Sequence, residues 1–379
     1  MQMAEALLDI QGLSIDYEVG AGVFHAISDL SLQITPGRVL GIVGETGSGK
    51  STLAHAIPRL LQEPPARVRS GRILFRGVDV LELPRWKLPL LRGTGIGMIF
   101  QEPINSLNPA YRIFDQVAEA VAVRKLRDSG QAPTLFQAVE PHDYSRGKPV
   151  KTGPALLHAA IPHLPGIGTG ARREALRTEV LDYLKLVRIN DPETILDLYP
   201  HELSGGMRQR VMIAIALSEK PALLIADEPT SALDITIQAQ VLTLMKELLE
   251  EVRTSILFIS HDLGVIAEMA DDVGVLYAGH LVEFGPVEDV YTNPRHPYTK
   301  LLLRSVPNRY KTDGPLPALT GSVPSLAKIP PGCPFHPRCP LAREICSQDP
   351  GPVLERAKGA SASTHLSACY FSEEVATIG

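Results

Sequence analysis

Short apolar runs bounded by turn residues alternate along this chain with stretches in which apolar residues recur at helical spacing. Leu7 to Val19 and Phe24 to Ile34 alternate apolar and polar positions as edge strands do, and Gly20, Gly22 and Pro36-Gly37 supply turns. Val39-Leu40-Gly41-Ile42-Val43 is short and apolar, as a buried parallel strand is, and Ser51 to Leu60 can continue as a helix. Ala222-Leu223-Leu224-Ile225-Ala226 reads as a second buried strand. Between Pro103 and Val123 a turn at Ser106-Leu107-Asn108-Pro109 leads into an apolar-periodic helix. Leu176, Val180, Leu181, Leu184 and Leu186 give Arg172 to Val187 a helical face. The pattern predicts an α/β protein with a parallel-sheet core.

The first apolar strand runs directly into Gly44-Glu45-Thr46-Gly47-Ser48-Gly49-Lys50-Ser51-Thr52, a glycine-rich loop ending in Lys and Ser. This strand, loop and helix order is what a nucleotide phosphate site needs. The glycines let backbone amides turn toward phosphate oxygens, Lys50 adds a point charge near the β and γ phosphates, and the Ser51 hydroxyl can ligate magnesium. The second apolar strand delivers Asp227 and Glu228 at its carboxyl end, where open parallel sheets place ligands. Asp227 can hold magnesium, and Glu228 can orient or deprotonate an attacking water.

Between these elements lies Leu203-Ser204-Gly205-Gly206-Met207-Arg208-Gln209-Arg210, a Ser-Gly-Gly turn opening a helix through Met212 to Leu217. With Gln101 after Met98-Ile99-Phe100, Ser231-Ala232-Leu233-Asp234 after the acidic pair, and His261 after Phe258-Ile259-Ser260, the chain resembles the ATP-binding cassette (ABC) proteins. The resemblance implies their nucleotide-binding fold: a parallel-sheet core, an antiparallel β subdomain and a helical subdomain. It also implies that Leu203, Ser204, Gly205, Gly206, Met207 and Asp234 meet the ATP of a partner ATPase in a head-to-tail dimer. Glu228, His261 and Gln101 take the catalytic positions, with Gln101 also beside magnesium and linked to the transport partner. Tyr17 takes the adenine-stacking position.

Composition sets limits on this reading. The 379 residues are 44% hydrophobic and 21% charged, enough for one large domain and a smaller one. A net charge of −5 gives no reason to expect nucleic acid. No run of apolar residues is long enough to span a bilayer, and the amino terminus lacks the basic start and apolar core of a secretory signal. The expectation is a protein on the cytoplasmic side of the cell membrane, held there by a partner. The segment 128–170 is rich in Pro, Gly and His, with one short helix candidate at 155–160. It reads as a surface insertion, tolerated because long loops close at small entropic cost, or as an extra partner contact.

After Gly285 comes Asn293-Pro294-Arg295-His296-Pro297-Tyr298, then a Pro-rich linker and Cys333, Cys339, Cys346 and Cys369, separated by five, six and twenty-two residues. In a cytoplasmic protein a cysteine cluster points to metal before disulfides, and the spacing leaves zinc and an iron–sulfur cluster both open. The His-Pro-Tyr segment resembles the carboxyl-terminal extension of oligopeptide, dipeptide and nickel importer ATPases, and is expected to cap and turn a helix. Some members of that group hold a four-iron four-sulfur cluster here, and the resemblance favours that cluster over zinc. His336 and His365 are expected to be ordinary polar residues. The domain reading is an ABC ATPase domain at 1–285, with its helical subdomain at about 102–218, and an extension at 286–379. The expected function is ATP hydrolysis energising di- or oligopeptide import, with a nickel-type importer as the near alternative and a soluble ABC ATPase acting on nucleic acid or ribosomes as the distant one. Expected partners are a second, paralogous ATPase, two transmembrane permeases and, indirectly, an extracytoplasmic solute-binding protein.

Overall fold

In a computed structural model, which describes residues 6–20, 22–93, 95–101, 106–129, 171–231, 233, 235–252, 254–305, 321–360 and 364–378, the chain divides into two compact units. One comprises Met1–Leu81 with Ile256–Gly379, the other Glu82–Ser255. In the first unit, β1 (Leu8–Val19) and β2 (Gly22–Ile34) form an antiparallel hairpin. After β3 (Val39–Val43) and α1 (Lys50–Ala56), β4 (Ala66–Phe75) pairs with the other edge of β1, and β5 (Val78–Asp79) pairs with β4. The order is β2-β1-β4-β5, so β1 is an inner strand and not the edge its alternation suggested. Gly22 belongs to β2, opposite Val19, and leaves the turn to Gly20 at φ 62. Helix α1 stops at Ala56, short of the expected Leu60, because Pro58 has no N–H to continue it and Arg59 turns left-handed at φ 54.

The second unit contains α2 (Leu88–Leu91), β6 (Ile96–Ile99), α3 (Ile113–Asp128), α4 (Ala171–Leu186), α5 (Pro192–Ile195), α6 (Gly205–Ser218), β7 (Leu223–Asp227) and α7 (Ile235–Val252). Strands β6 and β7 pair in parallel, with Ile99 opposite Ala226. Helix α3 buries Ile113, Phe114, Val117 and Val121 along one stripe and packs against α4 and α6. Asp115 in its first turn, and Lys125 and Arg127 in its last, suit its dipole. Arg124 hydrogen-bonds Glu179 and the Tyr183 hydroxyl of α4, and Lys125 reaches Glu179 at 2.7 Å. The helix includes Asp128, the first residue of the expected insertion. The rest of that segment, with its helix candidate, lies outside the described residues.

The chain then returns to the first unit with β8 (Ser255–Ile259), α8 (Leu263–Met269), β9 (Asp272–Tyr277), β10 (His280–Pro286), α9 (Val287–Thr292), α10 (Pro297–Arg304), β11 (Glu355–Arg356) and β12 (Leu366–Ser367). Strands β8 and β9 flank β3 in parallel, which buries β3 on all sides and explains its unbroken apolar sequence. The order β11-β12-β10-β9-β3-β8 shows the extension adding two short strands to the same sheet. Glu283 of β10 anchors that addition. It is fully buried, accepts from the Arg295 and His296 backbone amides at 2.6 and 3.0 Å, and lies 2.7 Å from His365 Nε2. Among the described residues, no helix is long and apolar enough to cross a membrane.

Candidate functional site

The glycine-rich loop leaves the carboxyl end of β3 and closes into α1. Gly44 is obligatory here, since a Cβ on it would lie 2.2 Å from the Leu276 carbonyl oxygen. Gly47, at φ 80, turns the exposed tip with nothing within 4 Å of a built Cβ. Lys50 is buried and its Nζ donates back to the carbonyls of Gly44 and Glu45 at 2.9 and 3.1 Å, which folds the ammonium over its own loop. The Ser48 amide donates to Glu45 O, and Ser48 O accepts from Gly279 N, both at 3.1 Å. Thr46 is exposed, while Ser51 and Thr52 are half-buried at the start of α1. Tyr17, half-buried on β1, stands opposite Phe24 and Ala66. His261 is exposed just beyond β8, where the Ser260 amide donates to Ile42 O at 3.2 Å, so β8 and β3 end together. Asp262 accepts from Gly264 N and caps α8.

In the other unit, β7 is buried along its whole length and presents Asp227, only 1% exposed, at its carboxyl end. Glu228 follows at φ 46, a left-handed conformation uncommon for a residue with a side chain. Gln101, beyond β6, donates from Nε2 to Glu228 Oε2 at 3.1 Å. Ser204 caps α6, its hydroxyl accepting from the Met207 amide at 3.3 Å, with Leu203 buried behind it. A Cβ on Gly205 would meet open space, whereas one on Gly206 would press Ile237 at 2.9 Å. Asp234 lies outside the described residues.

The family profile "ABC transporter" matches residues 27–231, from β2 through the acidic pair. This chain belongs to the ABC transporter family. A second profile, "Oligopeptide/dipeptide transporter, C-terminal region", matches residues 282–346 of this ABC ATPase. It is 40% identical to the "Probable peptide ABC transporter ATP-binding protein y4tR" of Sinorhizobium fredii over 99% of this chain and 98% of that protein. It is 37% identical to the "Dipeptide transport ATP-binding protein DppD" of Bacillus subtilis over 98% and 96% of the two chains. The DppD of Haemophilus influenzae is 40% identical over 90% of each chain. The ABC fold expected from the sequence is the one found. The dimeric ATP-binding cassette MJ0796, bound to ADP and Pi, superposes with TM-score 0.54 at 22% identity, over 74% of this chain and 98% of that one. The cbiO1 subunit of Clostridium perfringens superposes with TM-score 0.53 at 26% identity, over 76% and 91%.

Two contacts with the phosphate loop of this ABC ATPase carry no mark in the sequence, although one of them comes from Tyr298 of the His-Pro-Tyr segment. His296 Nδ1 caps α10 by accepting from Tyr298 N at 3.1 Å, as the His-Pro-Tyr reading expected, but the Tyr298 hydroxyl goes further and accepts from Glu45 N at 2.9 Å. Burial pushes the His296 imidazole down to about 3, so it caps as a neutral acceptor. Arg338 forms a two-pronged ion pair with the Glu45 carboxylate. No local pattern marks either contact, which join residues 253 and 293 positions apart.

Cys333, Cys339, Cys346 and Cys369 all line one pocket with Phe335, His296 and Phe371, and none is in a disulfide. Burial, followed by the neighbouring thiols, pushes Cys339 up to about 11 and Cys369 up to about 12; burial raises Cys333 as well. Such thiols are protonated unless a cation offsets the thiolate charge. Among the described residues, no group of three or more His, Cys, Asp or Glu side chains is placed to hold a metal ion. The four sulfurs share a pocket without forming the close tetrahedron, with sulfurs about 2.3 Å from the metal, that a structural zinc takes. His336 Nδ1 lies 3.0 Å from Cys333 O, and His365 is engaged by Glu283.

Proposed function

We propose that this ABC ATPase energises uptake of di- or oligopeptides, working from the cytoplasmic face of the cell membrane. The observation that carries the substrate class is the oligopeptide/dipeptide transporter match over 282–346, which contains His296-Pro297-Tyr298. Relatives named for peptide or dipeptide transport, at 37% to 42% identity, support the same class.

In this reading Tyr17 stacks on adenine and the loop from Gly44 to Thr52 wraps the phosphates, with Lys50 as the charge beside the β and γ groups. Ser51, Gln101 and Asp227 are the residues that would hold magnesium, oxygen donors that suit a hard cation. Held there, magnesium would offset the charge that builds on the phosphate oxygens. Glu228 takes a proton from the attacking water, Gln101 orients that carboxylate, and His261 contacts the γ-phosphate. Leu203, Ser204, Gly205, Gly206, Met207 and Asp234 serve the ATP of a second ATPase subunit, a paralogue in a heterodimer. ATP binding closes the pair and moves two transmembrane permeases, and phosphate release reopens it. An extracytoplasmic binding protein supplies the peptide.

The reading extends to the cysteines: Cys333, Cys339, Cys346 and Cys369 would be the ligands of a four-iron four-sulfur cluster, and binding it would have to draw the four sulfurs closer than they stand here. Support comes from the number and kind of the ligands and their convergence on one pocket. Such a cluster would supply a structural clamp or an oxidation-sensitive one, and ATP hydrolysis would draw no electron from it. Protein purified without oxygen should carry iron and acid-labile sulfide in equal amounts, lost in Cys339→Ser. Zinc without sulfide would sink the cluster.

Cells lacking this chain should lose di- and oligopeptide uptake and regain it with the intact chain, but not with Glu228→Gln. Peptide uptake that persists while nickel uptake falls would overturn the peptide assignment and leave the ATPase intact.

A further inference from the structure

Glu45 is the node of the phosphate loop. Its amide donates to the Tyr298 hydroxyl at 2.9 Å, and its carbonyl accepts from Lys50 Nζ and Ser48 N, both at 3.1 Å. Its carboxylate accepts from Arg338 Nη1 at 2.8 Å and Nη2 at 3.2 Å. A planar guanidinium gripping both carboxylate oxygens fixes orientation as well as distance, which a point charge does not.

The donors come from a rigid platform. The Arg338 side chain is only 6% exposed. Its Nη1 also reaches the Tyr277 hydroxyl at 3.2 Å, and the guanidinium lies 5.7 and 5.9 Å from the ring centres of Tyr277 and Phe335. Tyr277, Tyr298 and Phe335 are fully buried and pack on one another, with ring centres 4.7, 5.2 and 5.4 Å apart. Arg338 closes a single helical turn, its amide donating to Phe335 O and the Cys339 amide to His336 O. Cys333 and Cys339, on either side of that turn, line the thiol pocket. An exposed surface ion pair between mobile side chains contributes little. Here both partners are held, and they converge on the residue whose carbonyl holds Lys50.

We propose that Arg338 and Tyr298 are positioning residues of the ATP site: they hold Glu45, and through its carbonyl Lys50, in the loop conformation that receives the phosphates. The cysteine-bearing extension thereby braces nucleotide binding, an inference that rests on the ATPase reading above. A glycine-rich loop samples many conformations, and apparent affinity falls in proportion to the fraction that is competent to bind. The brace raises that fraction before ATP arrives.

The test is equilibrium binding of magnesium-ATP to the purified full chain, with steady-state hydrolysis and thermal melting of the nucleotide-free protein alongside. If the brace keeps most of the loop population competent, Arg338→Ala weakens binding about tenfold. Arg338→Lys keeps the charge without the fork and falls between. Tyr298→Phe keeps the ring and removes only the hydroxyl, and should weaken binding several-fold with little change in melting. A loss confined to binding raises KM and spares kcat. The double variant Arg338→Ala, Glu45→Ala should bind no worse than the weaker single variant. Affinity within twofold of the unmodified chain in both Arg338→Ala and Tyr298→Phe would overturn the proposal. If Arg338→Ala does not fold, Tyr298→Phe alone decides. Failure of the ATPase reading looks different, because the unmodified chain would then bind no ATP.

Discussion

Gln101 donates from Nε2 to Glu228 Oε2 at 3.1 Å, and the register of two parallel strands accounts for the meeting. Ile99 of β6 stands opposite Ala226 of β7, and each of the two side chains lies two residues further along its strand direction. Parallel neighbours stay level, so equal offsets beyond a paired position arrive at the same end of the sheet. That end is the carboxyl edge, where open α/β sheets bind ligands.

Replacing Glu228 with Gln keeps the shape and the reach of the side chain but removes the base. ATP turnover should fall by roughly 10²- to 10⁴-fold, the usual worth of a positioned proton acceptor, while ATP binding is retained. Lys50→Ala should do the opposite and weaken binding itself by about 10-fold or more, the worth of a lost charge-assisted hydrogen bond. Hydrolysis and binding measured on the same preparations separate the two, and normal turnover in Glu228→Gln removes it from the base role.

The legible parts of this site are those written in local order. A strand running into Gly44 to Thr52, a strand ending in Asp227-Glu228 and a Ser204-capped helix each need only neighbours in sequence, and each has the expected form. Gln101 was identified by resemblance, and strand register explains it afterwards. The contacts of Tyr298 and Arg338 with Glu45 were not legible, because hydropathy patterns carry no information on polar contacts between distant segments. The same holds for His365, read as an ordinary polar residue, which meets a buried carboxylate 82 positions away.

Gly44 and Gly47 separate close approach from backbone conformation. Alanine at 44 would set a methyl 2.2 Å from the Leu276 carbonyl, so β9 or the loop must move; Gly44→Ala should lower stability by about 1–3 kcal/mol and abolish tight ATP binding. Alanine at 47 meets no neighbour within 4 Å and bears only the left-handed strain, about 1–2 kcal/mol. Melting curves and ATP titrations of the two variants should rank Gly44→Ala as the more damaged. The reverse order would show that the loop tip, and not its root, governs its shape.

The pair of Glu283 and His365 should behave as a buried acceptor with several donors. Both side chains are at most 1% exposed, and the carboxylate also holds two backbone amides that start the turn into α10. Removing His365 takes one of three donors from the buried carboxylate and costs about 1.5–3 kcal/mol. His365→Ala should therefore lower the unfolding midpoint strongly, with the extension opening before the strand core. Hydrogen exchange would show it as early loss of protection in β12 and β10; unchanged exchange there would reduce the pair to packing.

Glu219, the residue that closes α6, sits against Gly93 with Oε2 buried and unsatisfied. Burial pushes its carboxyl up from 4.5 to about 6; Arg127 opposes the rise and Glu119 adds to it. An acid whose folded value lies above its unfolded one favours the folded state when protonated. Its contribution is therefore fully present below about pH 4.5 and is lost as the pH rises through about 6. Glu219→Gln removes the ionisable proton and keeps the shape. The variant should melt higher than the unmodified chain at pH 7.5, by about 1 kcal/mol of stability for this half-buried side chain, and the difference should shrink toward pH 4.5. A variant that melts lower at pH 7.5 would mean that the ionised carboxylate stabilises the fold through Arg127, and that burial is the smaller effect.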